Sequence, residues 1–176
     1  MRNRTFLTLA LMAATALGSA SAMARGEAAS AELRNLKGEV VGQATLTQQG
    51  DDVLVKGTVK GLSAGVHAFH IHETGKCEPP FTSAGGHYNP HKKEHGHENP
   101  QGAHVGDLEN VNVAADGEET AFEQTVKSVR LFAEDGPAII DADGAALVFH
   151  AKADDYKSDP AGNAGDRLVC GVIEMK

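Results

Sequence analysis

The chain has 176 residues with 16 basic and 24 acidic side chains, a formal charge of −8, nine histidines, two cysteines and no tryptophan. That length points to one domain, and one of this size buries roughly 70% of the surface its unfolded chain exposes, so a core forms unaided. The acidic balance disfavours nucleic acid and anionic membranes as partners, and it repels an anionic substrate at long range.

Arg2 and Arg4, the apolar run from Phe6 to Leu17, and the small residues Ala20-Ser21-Ala22 or Ala22-Met23-Ala24 read as a secretory signal peptide. The expected division is a signal peptide over residues 1–24, cleaved after about Ala22 or Ala24, and one exported domain over residues 25–176. The apolar run is too short to span a bilayer as a helix, and no later segment is long or apolar enough, so no stable membrane insertion is expected. Loss of Arg2 and Arg4 takes the formal charge from −8 to −10. In an exported protein the two cysteines read as a disulfide, Cys77 to Cys170. Closing so long a loop is worth about 4 to 5 kcal/mol in the chain-entropy account, an upper figure.

Residues 25–30 read as a loose polar leader, and from Ala31 the pattern takes period two. Val40, Gly42, Ala44 and Leu46 alternate with Val41, Gln43, Thr45 and Thr47; then Val53, Val55, Gly57 and Val59 alternate with Leu54, Lys56, Thr58 and Lys60. Gln49-Gly50-Asp51 is a hairpin signal, and Gly61 to Gly65 turns the chain into His67-Ala68-Phe69-His70-Ile71-His72. In an extended strand His70 and His72 share one face while His67, Phe69 and Ile71 share the other. Further strands are expected near Leu108–Val113, Glu119–Val126, Ala145–His150 and Arg167–Ile173. Short strands at near-regular spacing without an amphipathic helix indicate an all-β domain, an antiparallel sandwich or barrel.

Two long segments, Glu73 to Gly106 and Ala151 to Asp166, break the spacing, and loops of this length are functional or disordered. Most of the histidines lie in or beside the first. The plain alternative is a solvated histidine-rich loop. Three imidazoles with one carboxylate suit a closed tetrahedral zinc site, and an all-imidazole set suits copper. His150, at the end of the apolar run Ala145 to Phe149, is placed to reach His70 and His72.

Four stretches together resemble the signatures of copper/zinc superoxide dismutases. They are Gly65-Val66-His67-Ala68-Phe69-His70-Ile71-His72-Glu73, Ser83-Ala84-Gly85-Gly86-His87-Tyr88-Asn89-Pro90, His104-Val105-Gly106-Asp107-Leu108 and Gly162-Asn163-Ala164-Gly165-Asp166-Arg167-Leu168-Val169-Cys170-Gly171-Val172-Ile173. The resemblance runs in order from about Glu32 to Ile173 and is closest to the bacterial, periplasmic branch. It implies a Greek-key β-barrel of about eight strands with two long functional loops. It also implies copper ligands His70, His72, His87 and His150, and zinc ligands His87, His95, His104 and Asp107, with His87 between the two ions. Asp154 matches a carboxylate that joins His70 to His95, and Arg167 matches the arginine beside the copper channel. His67 reads as a structural histidine, and only the family spacing selects His95 over His91 and His97. Ala68 stands where the family usually has glycine.

The activity implied is dismutation of superoxide to oxygen and hydrogen peroxide by copper cycling between Cu(II) and Cu(I), with Zn(II) structural. His87 and Arg167 are the catalytic side chains, and Lys152 and Lys157 are further candidates for attracting the anion. The competing class is an exported, non-catalytic copper/zinc binding or delivery protein. Monomer and homodimer both stay open.

Overall fold

Strands carry the computed structural model, which describes residues 28–133 and 135–176; the signal-peptide reading lies outside them. In chain order they are β1 (Ala28–Asn35), β2 (Val40–Gln49), β3 (Asp52–Val59), β4 (Gly65–His67), β5 (Phe69–His72), β6 (Val111–Val113), β7 (Thr120–Val126), β8 (Arg130–Phe132), β9 (Ala138–Ile140), β10 (Ala146–His150), β11 (Arg167–Val172) and β12 (Glu174–Met175). The main sheet has eight strands in the order β5-β10-β11-β1-β2-β3-β7, with β12 beside β1. All of its pairings are antiparallel. Among the described residues the only helix is one 3₁₀ turn, Thr82–Ala84, and no helix is long and apolar enough to cross a membrane.

The sheet curls so that side chains from its two end strands meet in one core. Phe69 on β5 and Phe122 on β7 stand at opposite ends of the strand order, yet their rings lie 4.9 Å apart. Phe149 on β10 completes the contact, stacked on Phe69 at 4.3 Å and edge-on to Phe122 at 5.4 Å. Around this trio pack Leu33, Leu46, Val55, Ile71 and Leu147, each fully buried. The alternating pattern therefore supplies one continuous barrel core.

Several local readings need correcting. Ala28 to Ser30 belong to β1 and pair with β2 and β12, so the leader ends sooner than composition indicated. Val41 is buried and Val40 is about half exposed, the reverse of the simple alternation. A bulge between Leu33 and Arg34 pairs Leu33 with Gly42 and Arg34 with Val40, and this flips the phase of the strand. Three short strands lie outside the expected set: β8 and β9, which form a parallel pair, and β12, which pairs with β1. The histidine run is also two strands rather than one. At Ala68 the chain leaves β4 and gives its N–H to Lys152 O at 2.8 Å, while its carbonyl accepts the His150 N–H at 2.9 Å.

Strands β5 and β10 are buried on both faces. Inward they face the barrel core; outward Ala146, Val148 and Cys170 pack with Phe81 and Ala84 from the long loop. Cys77 of that loop is disulfide-bonded to Cys170, 93 residues away. His70 pairs with Val148, and Val148 with Cys170, so the disulfide clamps the loop onto the rank of the sheet that carries His70. Replacing both cysteines by serine is expected to lower stability in urea unfolding by up to about 4 to 5 kcal/mol, while the far-ultraviolet signature of the barrel persists.

Candidate metal centre

Alternation on β5 sends Phe69 and Ile71 into the core and leaves His70 and His72 on the outer face. The free side of β5 is bound by the long loop. Ile71 donates its N–H to Gly106 O at 2.9 Å and accepts the Tyr88 N–H at 2.8 Å, and Gly106 N–H binds Tyr88 O at 2.9 Å. These bonds draw His87 and Asp107 alongside His72 and His70. Any side chain at Gly106 would collide with the Ile71 carbonyl. His150 arrives from β10, where a register shift after Phe149 sets it apart from the regular ladder.

Two groups of four result, His70, His72, His87, His150 and His87, His95, His104, Asp107, all buried. Within each group the candidate ligand atoms lie within 4.8 Å of one another, and His87 belongs to both. The hydrogen bonds made behind each ring decide which nitrogen faces inward. His70 Nε2–H donates to Asp154 Oδ2 at 2.7 Å and His95 Nε2–H to Asp154 Oδ1 at 2.9 Å. His72 Nδ1–H donates to Gly85 O at 3.0 Å, and His150 Nδ1–H to Gly165 O at 3.3 Å. The opposite nitrogen of each of these four rings is then free to act as an acceptor.

In the first group His72 Nε2 and His150 Nε2 face each other at 3.3 Å, lone pair toward lone pair. His70 Nδ1, His87 Nε2 and His95 Nδ1 are buried without a hydrogen-bond partner. Convergent unpaired acceptors in a buried site are costly unless a cation sits among them. The second group has the same character. Asp107 Oδ1 lies 2.8 Å from His87 Nδ1, 3.0 Å from His95 Nδ1 and 3.2 Å from His104 Nδ1. Tetrahedral zinc with bonds of about 2.0 Å holds its ligand atoms roughly 3.3 Å apart. Asp107 Oδ2 meanwhile accepts the main-chain N–H groups of Gly96 and His104, both at 2.9 Å, which fixes the carboxylate. The residues fit a three-imidazole, one-carboxylate zinc site beside an all-imidazole copper site.

The electrostatics agree with this division. Burial holds His72 and His70 below the ordinary histidine value and lowers His87 to about 4 and His150 to about 3, so these rings are neutral and ready to ligate. Burial also lowers His95, but the adjoining Asp107 and Asp154 reverse the effect and lift it to about 9. Both Asp107 and Asp154 are raised by burial, but their imidazole partners more than offset this and hold them below the usual carboxylate range.

The other sequence candidates separate clearly. His91 and His97 are exposed while His95 is fully buried. His67 is buried outside both groups, with Nδ1 2.7 Å from His150 O and Nε2 3.0 Å from Ser63 O. Arg167 donates to Phe81 O and Gly85 O, both at 2.7 Å, so it shares Gly85 O with His72. Lys157 is ion-paired with Glu98 at 2.6 Å, which compensates the charge expected to attract an anion; Lys152 is exposed. Sequence reasoning missed Asn110, whose side-chain amide holds the main chain of Asp154, and the carbonyls of Gly85 and Gly165. The Gly85-Gly86 pair and Gly165 were the available hints for the carbonyls; Asn110 had none.

The family profile described as "Copper/zinc superoxide dismutase (SODC)" matches residues 40–173. A copper/zinc superoxide dismutase of Aquifex aeolicus is 47% identical over 147 residues, covering 82% of this chain and 85% of that protein. An extracellular copper/zinc superoxide dismutase of Caenorhabditis elegans is 37% identical over 183 residues, covering 98% and 78%. The crystal structure of a superoxide dismutase-like protein from Bacillus subtilis superimposes with a TM-score of 0.77 at 38% identity, covering 85% of this chain and 99% of that one.

Titrating Zn(II) into metal-free protein is expected to raise its unfolding temperature, by the equivalent of about 4 kcal/mol once the free ion exceeds its dissociation constant a thousandfold. Asp107→Ala is expected to remove most of that gain. His67→Ala should cost roughly 1 to 3 kcal/mol of stability through the buried hydrogen bond to a main-chain carbonyl that it removes, with copper content retained; a folded variant that has lost copper would place His67 among the ligands.

Proposed function

Because the chain belongs to the copper/zinc superoxide dismutase family, we propose that His70, His72, His87 and His150 hold its copper and that His87, His95, His104 and Asp107 hold its zinc. The enzyme dismutates superoxide to oxygen and hydrogen peroxide, with copper and zinc as cofactors. Copper, when bound, supplies the one-electron couple, and zinc supplies charge and order without changing oxidation state. The observation that carries the ligand assignment is the set of buried, inward-facing ring nitrogens left without partners.

His87 has a special position because its Nε2 faces the first group while its Nδ1 lies against Asp107. A ring shared in this way can hold a proton at Nε2 and pass it to the reduced product. Asp154 joins His70 to His95, so the order of one group is transmitted to the other.

Superoxide is an anion and the chain is acidic overall, so attraction depends on a local field. Arg167 is its source in this reading: half-buried and fixed by two carbonyls, it stands close enough to the first group to help hold His72 and His150 below their ordinary values. Lys152 adds an exposed charge in the loop above. The Cys77–Cys170 disulfide and the likeness to an extracellular relative support export. Residues 1–24 are then a signal peptide and the periplasm is the destination.

Protein loaded with one copper and one zinc per chain is expected to consume superoxide, and inactivity with both sites filled would favour the binding or delivery alternative. Arg167→Ala is expected to lower kcat/KM by roughly tenfold or more at low ionic strength and to flatten its salt dependence, with copper still bound. Arg167→Lys keeps the charge and should recover part of that dependence. Unchanged salt dependence in Arg167→Ala would remove the steering role.

A further inference from the structure

On the reading that His70 and His95 are ligands, we propose that Tyr156 is a positioning residue for the two-metal centre, acting through Asp154. The Asp154 carboxylate accepts three hydrogen bonds, from His70 Nε2 at 2.7 Å, His95 Nε2 at 2.9 Å and the Tyr156 main-chain N–H at 2.7 Å. The last two meet on the same oxygen, Oδ1. Tyr156 thus shares the atom that orients His95.

The phenol closes a ring around the same carboxylate. Asn110 grips the Asp154 main chain from both sides, its Oδ1 accepting the Asp154 N–H at 2.8 Å and its Nδ2 donating to Asp154 O at 3.0 Å. The main-chain N–H of Asn110 in turn donates to Tyr156 Oη at 2.9 Å, and the phenol donates onward to Glu109 at 2.9 Å. Tyr156 therefore contacts Asp154 directly and also holds the residue that holds Asp154.

Its backbone supports the same role. Tyr156 has φ 60°, an uncommon left-handed conformation for a bulky residue. In that conformation its carbonyl accepts the Glu98 N–H at 3.0 Å, three residues beyond His95. A side chain at Gly162, also left-handed with φ 61°, would collide with the Asp154 carboxylate, so the loop closes directly over it. Tyr156 ties that loop to the segment carrying His95 and to the start of β6.

Tyr156→Phe keeps the ring and removes only the hydroxyl, leaving the Asn110 N–H without its acceptor. Zn(II) affinity is measured by competition with a chromophoric chelator, and the visible band of Cu(II) is recorded, for the full chain and for Tyr156→Phe, Asp154→Asn and the double variant. Asp154→Asn is expected to weaken zinc binding by roughly 10- to 100-fold. Tyr156→Phe is expected to weaken it by roughly tenfold and shift the Cu(II) band, and the double variant should match Asp154→Asn alone. Unchanged zinc affinity and Cu(II) band in Tyr156→Phe, even with a lower unfolding temperature, would overturn the proposal, as would effects that add in the double variant. Unchanged zinc affinity in Asp154→Asn would overturn this proposal alone, whereas unchanged zinc affinity in Asp107→Ala would overturn the ligand reading on which it rests.

Discussion

The arrangement of this protein depends on acceptor nitrogens that are buried and turned toward one another. Six imidazoles and two carboxylates occupy the cluster, and each is almost wholly inaccessible to solvent. Hydrogen bonds to Asp154, Gly85 and Gly165 claim the outward nitrogens of His70, His95, His72 and His150. The inner nitrogens of His70, His72 and His150, all held below the ordinary histidine value by burial, then have no proton to share. Such a set is unfavourable alone and favourable around a cation, so the polar groups behind the rings select for metal before any metal arrives.

The barrel makes that burial possible. Strands β5 and β10 lie side by side and are covered on both faces, inward by the phenylalanine trio and outward by the loop that Cys77 pins to Cys170. A pair of histidines on an ordinary strand would face water and keep ordinary solvation. Here the loop removes the water and also delivers Gly85 O, which both His72 and Arg167 use. The Arg167 guanidinium and the His72 ring are thereby held by one carbonyl.

Much of this was legible in the residues. Strict alternation from His67 to His72 separated Phe69 and Ile71 from His70 and His72, and the structure keeps that separation. The hairpin at Gly50 and the strands around Leu46 and Val55 followed from period two. Where local pattern failed, a distant partner had the deciding influence. The phase of Val40 and Val41 is set by a bulge at Val41, opposite Leu33 and Arg34 of β1, and the break at Ala68 by its bonds to Lys152 and His150. The burial of His95 in preference to His91 and His97 depends on a carboxylate 59 residues away, and composition carries no trace of it. Resemblance to a family bridged that gap because spacing between motifs encodes contacts that periodicity does not.

The two groups are coupled twice, directly by the His87 ring and indirectly through Asp154. The orientation of the rings in one group is therefore tied to that in the other. Two different ions in two adjacent sets of side chains with one shared ring would explain the buried geometry. Crystals of the protein loaded with copper and zinc, measured at the absorption edges of both metals, test this most directly. The expected result is a copper peak enclosed by His70, His72, His87 and His150 and a separate zinc peak enclosed by His87, His95, His104 and Asp107. A single peak, or metal bound outside these residues, would contradict it.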